Sequence, residues 1–165
     1  MKIVFILMLV MSIISCTGNN FKKTDYGDLN MEPIEDIDYV VFPYDLNNDK
    51  FIFNNGKPTE LTAADIENIN IILEMVVKNY NNNIKESWEK EINLKNYKKQ
   101  FIPIINENGE KEIYINCFFH DKSINDYFDW KKELIFVCDG GNNYFQLKVN
   151  LKKMTYYDFM VNGYA

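Results

Sequence analysis

The alternation of apolar and polar side chains within residues 143–151, NYFQLKVNL, is the feature that most restricts how this chain can fold. Successive side chains of a β-strand point to opposite faces of a sheet, so this pattern predicts a half-buried strand. One face carries Phe145, Leu147, Val149 and Leu151, and the other carries Tyr144, Gln146, Lys148 and Asn150. The chain must therefore supply an apolar element that covers one face of a sheet.

Residues 62–80 are expected to supply that cover as an amphipathic helix. Thr62 is a good N-cap, and Asp65 stands three residues later, near the positive end of the helix dipole. The apolar residues recur at helical spacing as one stripe, made by Ile66, Ile69, Ile72, Leu73, Val76, Val77 and Tyr80. Ile71 and Met75 lie on the opposite side, which predicts a second cover, such as an N-terminal hairpin.

The remaining β-rich runs follow the helix, at residues 100–105, 112–119, 133–138 and 154–161. Gly109 in NENGEK and the glycine pair in DGG are turn signals between them. This order predicts an α+β fold, with one long helix packed on a four- to five-stranded antiparallel meander sheet, as in cystatin-like folds.

Two shorter β-rich runs precede the helix, at residues 39–44 and 50–54, and flank the polar sequence DLNND. They predict an N-terminal β-hairpin. Residues 121–130 are expected to form an irregular or briefly helical crossing, and a single domain is expected to span residues 37–165.

An apolar run at residues 3–14 follows a single charge, Lys2. Twelve residues are too few to span a bilayer as a helix, but they suit the central region of a secretory signal. Ile13, Ile14 and Ser15 before Cys16 resemble the lipobox of bacterial lipoproteins, which implies a signal peptide at residues 1–15 and acylation of Cys16. The alternative is an ordinary secretory signal with an incidental cysteine. Residues 16–36 are then the acylated cysteine and a flexible tether.

The charge balance bears on the partners of the mature chain. Loss of Lys2 with the signal would take the net charge from −6 to −7, and the chain has no arginine. Binding to phosphate backbones depends on clustered lysine and arginine, so no nucleic-acid partner is expected. The lipid anchor would provide the contact with the membrane.

No catalytic, cofactor or metal site is predicted. His120 is the single histidine, and Cys117 lies three residues before it, so the two side chains fall on opposite faces of a strand. A zinc site lacks further ligands. Cys117 and Cys138 can be placed on the same face, either as a disulfide or as two buried free thiols.

The sheet face that points away from the helix is a candidate binding face. It is expected to carry Tyr114, Asn116, Phe118, Tyr144, Gln146, Lys148, Tyr156, Asp158 and Met160. Tyrosines mixed with amides and apolar groups are typical of protein- or glycan-contacting surfaces. Packing by the N-terminal hairpin or by residues 121–132 would explain the same residues. A recognition tip is also considered at Asp139, Asn142 and Asn143.

Three segments, at residues 97–119, 130–151 and 156–165, resemble a family of small bacterial lipoproteins with no assigned activity. The resemblance includes DGGNNYF and the terminal VNGYA, and it implies export and these domain limits. Relatives would be expected to have cysteines near positions 119 and 143, where this chain has Phe119 and Asn143.

The function expected from the sequence is a lipid-anchored envelope module that binds a protein or a glycan. The alternatives are an inhibitor or immunity-type lipoprotein, a structural envelope subunit and, less favoured, an envelope hydrolase. Residues 17–20 are not acidic, which favours an outer-membrane protein that faces the periplasm.

Overall fold

The computed structural model describes residues 38–120 and 129–164. The signal peptide, Cys16, the tether and most of the predicted crossing therefore lie outside the described residues. The strands are β1 (Tyr39–Val41), β2 (Lys57–Pro58), β3 (Tyr97–Ile105), β4 (Lys111–Phe119), β5 (Tyr144–Asn150) and β6 (Thr155–Val161). The helices are α1 (Leu46–Asp49) and α2 (Ala63–Asn82), with 3-10 turns at Leu94–Asn96 and Gly141–Asn143.

The strands form one mixed sheet in the order β1-β3-β4-β5-β6, and β2 pairs with the end of β3. The pairs from β3 to β6 are all antiparallel, which confirms the predicted meander. β1 is the exception, since it runs parallel to β3 with Tyr39 opposite Lys99. The fold is therefore α+β, with one long helix and a mostly antiparallel sheet.

Helix α2 begins where the sequence predicts. Thr62 and Asp65 form a reciprocal capping box, in which the Asp65 amide donates to Thr62 Oγ1 (3.2 Å) and the Thr62 amide donates to Asp65 Oδ2 (2.8 Å). The stripe of the helix is buried against one face of the sheet, in a core that includes Ile69, Leu73, Val76, Phe101, Ile115, Phe145 and Leu147. The opposite side of α2 has no cover among the described residues, because Ile71 and Met75 are about half exposed.

The predicted N-terminal hairpin does not form. Residues 46–49 are helical instead, because Asp45 caps them: its carboxylate accepts from the Asn47 amide (2.9 Å) and its own amide donates to Asp49 Oδ2 (2.8 Å). Residues 50–54 are not a strand. Residues 39–41, from the first strand of the predicted hairpin, pair with β3 instead of with residues 50–54.

The predicted strand at residues 133–138 is also wrong, since these residues form an irregular segment. Strand β4 already pairs with β3 on one side and with β5 on the other. No position remains beside β4 for another strand, so residues 129–137 cross the outer face of the sheet. No helix in the described part of the chain is long and apolar enough to cross a membrane.

Candidate binding site

The outer face of the sheet, which points away from α2, is largely covered. Tyr114, Asn116 and Phe118 of β4 are all buried, at 9%, 4% and 0% exposure. Two chain segments, residues 42–53 and 129–137, pack over them. Packing, the alternative that the sequence left open, thus accounts for these three residues, and they are not an exposed binding face.

Two buried amide side chains fasten residues 129–137 to the sheet. Gln100 Nε2 donates to the carbonyl oxygens of Trp130 and Glu133 at 2.7 Å each. Gln100 Oε1 accepts from the Ile135 amide and from Asn116 Nδ2 at 2.9 Å each. Asn116 Nδ2 also donates to the Ile135 carbonyl at 2.7 Å. Buried polar groups require such partners, so Asn116 has a structural role.

The second covering segment, residues 42–53, is held by apolar packing and by hydrogen bonds, among them one from the Phe42 amide to the Phe101 carbonyl of β3 (2.8 Å). Tyr44, Ile52 and Phe53 pack with Ile102 and Ile104 of β3. The Tyr44 hydroxyl donates to the Phe53 carbonyl (2.8 Å). This anchors the segment at both ends and leaves Phe51, between them in sequence, exposed to solvent.

Between these two segments and strands β5 and β6 lies an open groove of about 570 Å³, which we call the outer groove. Its lining residues are Phe51, Ile52, Tyr114, Phe136, Gln146, Leu147, Lys148, Asp158, Phe159 and Met160. Phe51, Phe136 and Met160 are 64%, 71% and 58% exposed. The two phenylalanine rings meet edge to face, with centroids 6.3 Å apart. An adjoining depression of about 250 Å³ shares Phe136 and Met160 and extends to Cys138.

The charged groups in the outer groove are paired with each other. Lys148 Nζ donates to Asp158 Oδ2 at 3.0 Å. The same ammonium lies 5.3 Å from the centroid of the Phe53 ring and 5.7 Å from that of Tyr157. The groove therefore presents apolar surface with one internally compensated ion pair.

Strand β6 presents different residues from those the sequence predicted. The pairing with β5 shifts register between Gln146 and Lys148, and Asp158 has a φ of 52°. This bulge reverses the alternation, because a bulge adds one residue to one strand of the pair. Tyr156 consequently packs on the helix side, where its hydroxyl lies 3.5 Å from Asn79 Nδ2, while Tyr157 pairs with Lys148. The prediction that Tyr156 belongs to the outer face is wrong.

Tyr144, Gln146 and Lys148 keep the predicted side of β5. Tyr144 packs with Phe118 and Trp130 in the cluster under residues 129–137. Gln146 and Lys148 line the outer groove with Asp158 and Met160 of β6. Of the predicted face, these four residues come together at one accessible site, and the largely buried Tyr114 also contributes to its lining.

The predicted recognition tip is partly a structural element. Asn142 is buried, its side chain donates to the Glu91 carbonyl (3.2 Å), and its own carbonyl accepts from the Tyr97 hydroxyl (2.8 Å). The Tyr164 hydroxyl donates to Asn142 Oδ1 (3.0 Å). Asp139 and Asn143 are exposed beside it. The DGGNN sequence and residues 161–164 thus form one structural unit.

The two cysteines in the domain are both free. Cys117 is buried in the core beneath α2, and this burial raises the pKa of its thiol. Cys138 is exposed, because residues 133–138 do not form a strand beside Cys117. Neither a disulfide nor a pair of buried thiols, the two alternatives from the sequence, describes these residues. The buried thiol cannot act as an accessible nucleophile.

No group of three or more histidine, cysteine, aspartate or glutamate side chains that could hold a metal ion occurs within residues 38–120 and 129–164. His120 follows the last residue of β4.

Sequence reasoning missed Phe51 and Phe136, since it assigned both to strands. For Phe51 a signal existed: three consecutive apolar residues at 51–53 do not fit the alternation of a half-buried strand. The same signal is present around Phe136, since residues 134–138, LIFVC, are five consecutive apolar residues. Comparison of the chain with protein-family models, with curated proteins and with solved structures found no match.

Proposed function

We propose that this protein is a lipid-anchored module of the bacterial cell envelope that binds a partner protein in the outer groove. The observation that carries the proposal is the exposure of Phe51, Phe136 and Met160 around one groove. Large apolar side chains that cluster at a concave surface are typical of binding sites. The covering segments that present the two phenylalanines are held in place by the Gln100–Asn116 network and by Tyr44.

The chemistry of the groove favours a protein partner over a glycan. A sugar needs several hydrogen-bonding groups, whereas the charged groups of this groove, Lys148 and Asp158, already bond to each other. Phenylalanine and methionine are enriched at protein interfaces, and methionine adapts to different apolar partners. We infer that the partner inserts an apolar or aromatic side chain between Phe51, Phe136 and Met160.

The location of the protein is part of the same proposal. Acylation of Cys16 would hold the chain on a membrane, and the sequence favours the periplasmic side of the outer membrane. An immunity-type inhibitor and a structural subunit would use the same groove, and the identity of the partner would distinguish them. The order of one long helix before a meander sheet supports a cystatin-like fold as the finer proposal.

Site-specific photo-crosslinking tests the groove. A benzoylphenylalanine replaces Phe136 in the full-length protein in its native membranes, and crosslinked products are identified by mass spectrometry. The matched control carries the same probe at Ile71, which is 51% exposed on the opposite layer of the domain.

We expect one specific protein adduct from position 136 that is absent from position 71. The adduct should disappear when Phe51→Ala and Met160→Ala are added. Equal adducts from both positions, or none from position 136 in membranes that contain all native proteins, would contradict the proposal.

A further inference from the structure

Trp88 and Tyr164 form a second exposed aromatic surface, and neither residue lines the outer groove. Their ring centroids are 4.9 Å apart, with 75° between the ring planes. Trp88 is 54% exposed and Tyr164 is 41% exposed. Aromatic side chains with a polar group are favoured where an apolar phase meets water.

The residues around this pair hold it in place. The Tyr164 hydroxyl accepts from the Asn142 amide (3.3 Å), and its ring covers Gly141 so closely that an added Cβ would lie 2.2 Å from it. Glu89 Oε2 accepts from the amides of Lys85 and Glu86 (3.0 and 3.1 Å) and so closes the turn that carries Trp88. The exposure is therefore a property of an ordered surface.

This surface lies at the end of the sheet where the described chain begins. β3 and β5 start at this end, and β4 and β6 finish there, because Tyr97 pairs with Phe119 and Phe145 pairs with Val161. Asp38 lies at the same end, where its carbonyl accepts from the Lys99 amide (2.8 Å). We call it the tether end.

The length of chain between Cys16 and Asp38 keeps the tether end near the site of acylation. Twenty-one residues, 17–37, lie between them, and a flexible linker of that length has a root-mean-square span of about 25 Å. That span is comparable to the diameter of a small domain. Of the two ends of the sheet, the tether end is the one that an acylated Cys16 would bring to the lipid surface.

The charge of the connection that carries Trp88 permits close approach to lipid. Residues 83–96 contain three lysines and three glutamates, so their formal charge is zero, whereas the whole chain carries −6. The connection itself therefore adds no net repulsion from anionic headgroups where Trp88 is exposed.

We propose that Trp88 and Tyr164 insert into the interfacial layer of the phospholipid bilayer that holds Cys16 and so fix the orientation of the domain on the membrane. This inference rests on the lipid anchor of the proposed function. The occupant is the lipid itself, and capture of this surface by a protein is the competing outcome.

Fluorescence quenching by brominated phospholipids tests the contact. The acylated full-length protein is reconstituted into vesicles of phosphatidylethanolamine and phosphatidylglycerol, with or without brominated acyl chains. The chain has two tryptophans, Trp88 and Trp130, and Trp130 is 7% exposed because it packs on Phe118 of the sheet. We expect brominated lipid to quench the Trp130→Phe variant, in which Trp88 remains, and to leave the Trp88→Phe variant unchanged.

A second variant gives a matched control. Phe51→Trp in the Trp88→Phe background places an exposed indole in the outer groove, and we expect no quenching of that indole. Equal quenching at both positions would overturn the oriented contact.

Flotation of the vesicles separates this inference from the anchor. Protein that floats but shows unquenched Trp88 overturns the aromatic contact and leaves the anchor standing. Protein that does not float overturns both. Quenching of Trp88 that requires a second protein in the vesicles would assign the surface to a protein partner and would also overturn the inference.

Discussion

Replacement of Gln100 by methionine tests how the outer groove is built. Gln100 is fully buried, and its side chain makes four hydrogen bonds, which join β3 to Trp130, Glu133, Ile135 and Asn116. Methionine has nearly the same length and volume but no strong donor or acceptor. The change therefore removes the polar contacts and leaves the packing volume nearly intact.

The expected loss in the free energy of unfolding follows from the four hydrogen bonds of Gln100. A neutral hydrogen bond contributes about 1 kcal/mol, and a buried donor left without a partner costs about 1–3 kcal/mol. Four lost bonds, with the Ile135 amide among the groups left unpaired, give a decrease of about 4 kcal/mol in the free energy of unfolding. Small domains have about 5–15 kcal/mol in total, so the variant should fold but with a much reduced margin.

Urea denaturation followed by circular dichroism measures the difference. The control is Gln146→Met, on the same sheet face, where the half-buried side chain has no hydrogen bond to a described residue. We expect a change of less than about 0.5 kcal/mol for the control. Hydrogen exchange at the Ile135 amide should accelerate in Gln100→Met alone. Equal stability of the two variants would refute the assignment of Gln100 as the group that fastens the covering segment.

Three further predictions follow from contacts elsewhere in the domain. Hydrogen bonds from Lys153 and Asn150 lower the pKa of Glu110 to about 2, so the stabilisation by ionised Glu110 should be complete above its unfolded pKa and be lost as the pH falls from about 5 towards 2. Glu110→Gln should flatten the fall in unfolding free energy over that pH range. An unchanged profile would count against the contact. Gly141→Ala should destabilise the domain more than Gly109→Ala, because both glycines have positive φ but only at Gly141 would the added Cβ clash with a side chain, that of Tyr164. Chemical denaturation should show a loss of about 1 kcal/mol in the free energy of unfolding for Gly109→Ala and a larger loss for Gly141→Ala. Equal losses would contradict the contact. Iodoacetamide should modify Cys138, which is exposed, in the native protein and should modify Cys117, which is buried, only after unfolding. Intact-mass analysis that shows rapid modification of Cys117 would contradict the placement of that thiol.

Helix α2 and the meander could be predicted from the sequence because their signals are local. Thr62 and Asp65 form the capping box within one turn, and the apolar stripe matches the helical period. The alternation in β5 matches the burial of Phe145, Leu147 and Val149. In these elements the local pattern and the tertiary burial agree.

The prediction failed where long-range competition decides the structure. The sequence of residues 133–138 predicts a strand, but this segment cannot pair with β4 because β3 and β5 occupy both of its edges. The segment therefore lies over the outer face, where Gln100 and Asn116 bind its backbone. The predicted hairpin failed for a local reason instead, because Asp45 caps residues 46–49 as a short helix.

Prediction of the outer face failed for a related reason. A bulge at Asp158, a non-glycine residue with positive φ, reverses the faces of the β6 residues that precede it, and nothing local in the sequence marks it. The candidate site consists of the residues that the covering segments leave exposed. Its position depends on how those segments cross the sheet, which residue patterns within each strand do not specify.

Both proposals depend on the acylated cysteine, so the mass of the protein extracted from its native membranes tests the account most directly. The account predicts a chain that begins at Cys16, lacks residues 1–15 and carries the added mass of a diacylglycerol thioether, with or without an N-acyl group. A chain that retains Met1, or one that begins elsewhere with an unmodified Cys16 thiol, would contradict it.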